Sequence, residues 1–353
     1  MPRAIVFNGD ETWEMREVPV PELRPGCAVL RVEATGICHS DLDQLRGHPP
    51  VPSGGVFPVV PGHEVVGRIE KITPEAAAEF GVGEGDRVGV RSLVVMADGT
   101  RRVYGFDFPF ETRGSRPPEE GSGLFGGYAD YMELVPGSEV HKLRDDLPAT
   151  ELTVYECLTN AITWIRTVRP DDILVVEGPG HMGLAAIVGA KAAGVRTVIV
   201  TGLSQDRARL DTALRVGADH AIDVEKEDVV ARVGEITGGS MADVVLDAAS
   251  GNPVTLAVAM DLVRTGGTVI EAGMKDKPLD GFDVSKIPLR HITILPGGGL
   301  DLKGACTMIN EGKVPTAELL GASFPLERFE DALALMDRRI PGSDAVRLSL
   351  EIS

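Results

Sequence analysis

Apolar and polar positions are distributed differently in the two parts of this chain, and the difference predicts two kinds of domain. Ala28-Val29-Leu30-Arg31-Val32-Glu33-Ala34 alternates side-chain character and follows a Pro25-Gly26 turn, so it reads as a strand with one buried face. Residues 3–7 and 65–72 read as strands as well, and Gly85-Asp86-Arg87-Val88-Gly89-Val90 as a tight turn into another. Proline and glycine punctuation is dense up to residue 148, which predicts an irregular, β-rich first domain. From residue 171 short apolar runs alternate with segments of helical spacing. Strands are expected at 173–177, 197–201, 220–224, 242–248, 267–271 and 291–295, with helices at 184–193 and 206–216. That alternation is the signature of βαβ units, and six strands complete a doubly wound parallel sheet of the dinucleotide-binding type. The fold class is therefore α/β. Helices are expected near 300–312 and 328–337. The closing run Ala345-Val346-Arg347-Leu348-Ser349-Leu350 has no place in a six-stranded unit and is assigned back to the first domain. The expected division is 1–155 with 300–353, and 156–299.

Composition adds limits. A chain of 353 residues suits about two domains. The net charge of −18 supplies no basic footprint for phosphate backbones, which argues against nucleic acid as a partner. No run approaches the ~20 apolar residues of a membrane span, and the N-terminal residues lack a signal-peptide core. Four cysteines without framework spacing fit a reducing cytoplasm. Residues 92–127 are glycine-rich and carry Phe106, Phe108, Phe110 and Phe125. They read as a surface excursion anchored by its aromatics, with one wall of a substrate pocket as the alternative.

Two stretches carry chemistry. Gly36-Ile37-Cys38-His39-Ser40-Asp41 and Gly62-His63-Glu64-Val65-Val66-Gly67 offer a thiolate, an imidazole and a carboxylate, the donor types of a zinc site. Their separation is that of two elements converging on one ion, so a further ligand has to come from later in the chain. Gly178-Pro179-Gly180-His181-Met182-Gly183 is a G-x-G-x-x-G that directly follows a predicted strand and opens a predicted helix, the context in which this motif cradles a pyrophosphate. The acid that usually contacts the adenosine ribose about 20 residues on is replaced by Gly202, while Ser204, Arg207 and Arg209 stand close by and could bind a 2′-phosphate. This favours NADP slightly over NAD.

These motifs, with Gly85-Asp86-Arg87-Val88 and Gly126-Gly127-Tyr128-Ala129-Asp130-Tyr131, resemble those of the zinc-dependent medium-chain alcohol dehydrogenase superfamily along nearly the whole chain. The resemblance implies a GroES-like catalytic domain, a Rossmann domain, one catalytic zinc and an NAD(P) cofactor. It also implies a homodimer or homotetramer acting on a small alcohol or carbonyl compound. Glu156-Cys157-Leu158-Thr159-Asn160-Ala161 is similar to the third-ligand segment of the threonine, sorbitol and glucose dehydrogenase branches. The implied ligands are thus Cys38, His63 and Glu156, with Cys157 as competitor and Glu64 entering at some stages. No cysteine falls between 90 and 127, so the structural zinc lobe of some members is not expected. The place of the family's outer relay histidine is taken by Asp43, with His39, His48 or water as alternatives; Ser40 is the expected first proton acceptor.

The expected reaction is reversible oxidation of an alcohol to a ketone or aldehyde. A secondary, cyclic or aliphatic substrate is favoured by Leu42, Leu45, Val56, Phe57 and the Phe-rich segment, and a polyol or sugar is the alternative. A zinc-free quinone or enone reductase and a non-catalytic NADPH-binding protein are the competing readings. The retained ligand set argues against the first.

Overall fold

A computed structural model describes residues 1–110, 121–337, 339 and 345–352. The chain divides into two compact units. One comprises Met1–Glu156, Ile309–Glu311 and Leu320–Ser353; the other comprises Cys157–Met308 and Gly312–Leu319. The expected boundary at residue 300 therefore falls earlier than the observed one. Most of the helix Leu302–Asn310 belongs to the second unit.

The first unit is built around the strand Ala28–Ile37, whose Val29, Leu30, Val32 and Ile37 are buried. It pairs antiparallel with Val65–Ile72, with Tyr131–Leu134 and with the C-terminal strand Leu348–Glu351. The last strand thus returns to the first unit, because its Leu348 and Leu350 complete the core that Ile5, Leu30, Val32 and Phe329 begin. Register decides where the chemistry gathers. Thr35 stands opposite Val65 and Leu348 opposite Ile37. Cys38 follows the end of the central strand, His63 and Glu64 precede the start of its neighbour, and Arg347 precedes the start of the third. Antiparallel pairing brings all four to the same end of the sheet.

The excursion at 92–127 is more structured than its composition suggests. Leu93–Val95 and Arg101–Val103 form a hairpin. Phe106, Phe108, Phe110 and Phe125 are all buried, and Phe108 stacks on both Tyr104 and Phe125. Residues 111–120 of this segment lie outside the described residues.

The second unit is a six-stranded parallel sheet. Its spatial order is His220–Asp223, Thr197–Gly202, Ile173–Glu177, Ala242–Asp247, Val263–Glu271 and Thr293–Pro296. In chain order this is 3-2-1-4-5-6, the doubly wound arrangement with its switch point beside the first strand. Near-continuous Val/Ile/Leu runs make these strands because helices cover both faces of such a sheet. His291 departs from its expected strand: it caps the helix Lys286–Arg290 in a left-handed conformation, and the sixth strand starts at Thr293. Among the described residues, no helix is long and apolar enough to cross a membrane.

Candidate active site

Cys38 ends an extended segment and opens the helix His39–Leu45. Its backbone N–H donates to the Asp41 carboxylate at 2.8 Å, so the acid three residues on fixes the turn that presents the sulfur. The same carboxylate accepts the Tyr128 hydroxyl at 2.9 Å, and its other oxygen lies 3.2 Å from His63 Nδ1. A carboxylate behind one ring nitrogen orients an imidazole so that the other faces a ligand. Asp41 is fully buried, and the sequence reading missed it as a site residue, although its spacing from Cys38 was visible. Burial opposes a charge on His63, yet Asp41 and Cys38 beside it outweigh that and raise its proton affinity well above the usual imidazole range.

Glu64 is also fully buried, and it pairs with the almost fully buried Arg347 at 2.5 Å. Arg347 further donates to the Thr153 carbonyl at 2.8 Å. Only glycine fits beside this pair: a β-carbon on Gly36 would fall onto the Glu64 carboxylate and the Arg347 guanidinium. Among the described residues, the second Glu64 oxygen, Oε1, has no hydrogen-bond partner, and neither has the Ser40 hydroxyl. Arg347 is a second site residue that sequence reasoning passed over, since its partner lies 283 positions away.

Donor atoms of Cys38, His63 and Glu64 lie within 4.8 Å of one another, and those of Glu64 and Glu156 also lie within 4.8 Å. The three ligands expected from sequence do not form one such group among the described residues; Glu64 belongs with both Cys38–His63 and Glu156 and joins them. Glu156 is set by Tyr155, the first residue of the helix Tyr155–Trp164. The Tyr155 hydroxyl donates toward the Val65 and Val90 carbonyls at 3.0 and 2.7 Å, pinning the helix start to the strand that follows Glu64. Burial, then the neighbouring Glu64 charge, pushes the Glu156 carboxyl up to about 7. A soft thiolate, an imidazole with a carboxylate behind it, and two crowded carboxylates suit a zinc ion, which would relieve the repulsion and satisfy Glu64 Oε1. The donor set therefore fits the metal.

Ser40 and Asp43 lie on the helix His39–Leu45, three residues apart and so on one face. Phe106 packs its ring 5.2 Å from that of His63, giving the site an apolar wall. Phe108, Phe110 and Phe125 serve the core instead.

In the second unit, Gly178 adopts φ +93° directly after the first strand, and its N–H donates to the Thr201 carbonyl at 3.0 Å. Gly180 caps the helix His181–Ala192, so His181, Met182 and Gly183 form its first turn and their N–H groups face outward along the axis. Gly183 has no room for a side chain against the Gly178 carbonyl. Gly202 ends the second strand, as expected. Ser204 and Arg207, expected near a 2′-phosphate, each face carboxylates: the Ser204 hydroxyl bonds Asp223 at 2.8 and 2.9 Å, and Arg207 pairs with Asp211 at 3.1 Å.

Comparison with known proteins now decides the family. Residues 24–145 match the alcohol dehydrogenase GroES-like domain and residues 182–299 the zinc-binding dehydrogenase domain. A probable alcohol dehydrogenase of Mycobacterium tuberculosis is 36% identical, over 95% of this chain and 94% of that protein. The chain belongs to the zinc-dependent medium-chain dehydrogenase family. An erythritol/L-threitol dehydrogenase of Mycolicibacterium smegmatis is 31% identical over 99% and 97%. The solved alcohol dehydrogenase of Thermus sp. ATN1 superposes with a TM-score of 0.80 at 27% identity, covering 99% of this chain and all of that one. As a member of this family the chain is an oxidoreductase acting on CH–OH groups, and its family uses zinc and a nicotinamide dinucleotide.

Proposed function

We propose that this alcohol dehydrogenase reversibly oxidises a secondary, cyclic or aliphatic alcohol with NAD or NADP, at a zinc site formed by Cys38, His63 and Glu156 with Glu64 as an exchangeable fourth ligand. The observation that carries the reading is the group of half-buried Cys38 with buried His63 and Glu64, backed by Asp41 and Arg347. When bound, zinc acts as a Lewis acid that lowers the pKa of the substrate hydroxyl. The protein's own residues do the rest. Asp41 holds His63 in one tautomer. Arg347, paired with one Glu64 oxygen and bonded to the Thr153 carbonyl, holds the Glu64 side chain in place. Ser40 Oγ, buried and without a partner among the described residues, accepts the hydroxyl proton and passes it along the helix face toward Asp43. Gly178, Gly180 and Gly183, with the His181 and Met182 N–H groups, hold the dinucleotide pyrophosphate.

Phe106 beside His63 supports an apolar substrate. A polyol is the second reading, and it draws on the erythritol/L-threitol dehydrogenase relative. Initial rates on a panel of cyclic and aliphatic secondary alcohols, primary alcohols and polyols test the choice. Higher kcat/KM on the secondary alcohols is expected, and activity confined to polyols would refute it.

A further inference from the structure

We infer that Asp223, delivered from the third strand of the parallel sheet, selects the unphosphorylated adenosine ribose, so that this chain prefers NAD to NADP. The inference rests on the dinucleotide reading of the Gly178–Gly183 loop. In such sheets an acid at the tip of the second strand binds the ribose 2′-hydroxyl and repels a 2′-phosphate. That tip here is Gly202, and the loop itself explains why. A β-carbon on Gly202 would stand 2.9 Å from Cγ and 3.0 Å from Cδ of Pro179, so a side chain there collides with the ring inside the G-x-G-x-x-G. An acid cannot occupy the usual place without moving the pyrophosphate cradle.

The neighbouring strand supplies one. Gly202 and Asp223 are register partners across the parallel ladder, each the last residue of its strand. The Asp223 carboxylate reaches over to the segment following Gly202, where both its oxygens accept from the Ser204 hydroxyl at 2.9 and 2.8 Å. The Glu225 carboxylate accepts the Ser204 N–H at 2.8 Å. The turn that would otherwise hold a phosphate is thus lined by two carboxylates. Arg207, the guanidinium nearest in sequence, is paired with Asp211. Lys226 lies 2.6 Å from Asp223, but its side chain is 66% exposed, so its charge is hydrated and screened. A ribose hydroxyl can donate to Asp223; a dianionic phosphate meets like charge.

Fluorescence titration of the purified full-length enzyme with NADH and with NADPH reads this without turnover. The wild type is expected to bind NADH at least about tenfold more tightly. Asp223→Asn narrows that ratio to below about threefold, chiefly by tightening NADPH, and kcat/KM for the oxidised nucleotides shifts in parallel. Lys226→Met leaves the preference for NADH in place. Equal or tighter NADPH binding by the wild type overturns the role of Asp223 whether or not any variant folds. So does an unchanged ratio in Asp223→Asn, or loss of NADPH binding in Lys226→Met from a wild type that bound it well. Binding of neither nucleotide would instead overturn the dinucleotide reading beneath it.

Discussion

At the scale of the residue, the site depends on side chains that hold other side chains. Cys38→Ser removes the softest donor from the set but leaves the Asp41–Cys38 backbone turn intact. We expect zinc and activity to be lost together while circular dichroism and the melting transition are retained; a fully active, metal-bearing variant would show that Cys38 is not a ligand. Asp41→Asn keeps the shape and removes the charge behind His63. A change of this type costs about 10- to 100-fold in metal affinity, which competition with a chromophoric chelator measures. Arg347→Met strands the Glu64 carboxylate in a fully buried position. Breaking one side of such a pair costs about 3–5 kcal/mol, read as a lowered midpoint in urea. The double variant Arg347→Met with Glu64→Gln recovers most of that loss, since no charge is left unpaired.

At the scale of the element, strand ends carry the second unit's unusual electrostatics. Glu177, Asp247 and Glu271 are register neighbours at the ends of three adjacent parallel strands, with Lys275 2.8 Å from Asp247 and 3.3 Å from Glu271. Burial, then Asp247, pushes Glu271 up to about 7, and the same two causes raise Glu177 well above the carboxylate range. An acid whose folded pKa is raised binds more protons folded than unfolded. Its contribution is therefore complete below the unfolded value near 4.5 and is lost as pH rises toward 7. The melting temperature should fall between about pH 5 and pH 8, and Glu271→Gln should flatten that fall. A slope unchanged in the variant would remove Glu271 from the account.

The elements also show what sequence could and could not reveal. Periodicity placed the strands 173–177 and 65–72 because an apolar run or an alternating one is a local signal. It missed the cap at His291, where a β-rich sequence is overruled by the left-handed end of a short helix. The Phe-rich segment looked like one feature, yet packing divides it: Phe106 faces His63, while Phe108 belongs to an aromatic stack. Arg347 and Asp223 were invisible as site residues for one reason. Each is brought to its neighbours by strand pairing, Arg347 to Glu64 because the strands that follow them both flank Ala28–Ile37, and Asp223 to the segment after its register partner Gly202; pairing is a property of the sheet, not of the stretch that carries the residue.

At the scale of the whole molecule, two motifs within the first 67 residues gain meaning from a strand at 348–351 and a helix beginning at 155. The catalytic unit is discontinuous because its sheet is completed by the C-terminus, so removal of residues 345–353 would delete both Arg347 and the strand pairing with Ala28–Ile37. Such a truncation is expected to abolish metal retention even where the G-x-G-x-x-G unit still binds nucleotide. The most direct test of the central claim is the metal content of enzyme purified without added metal or chelator, measured by mass spectrometry alongside alcohol oxidation. About one zinc per chain, with activity that disappears on chelation and returns with zinc, is the predicted result. Full activity in protein holding well under half a zinc per chain would contradict it.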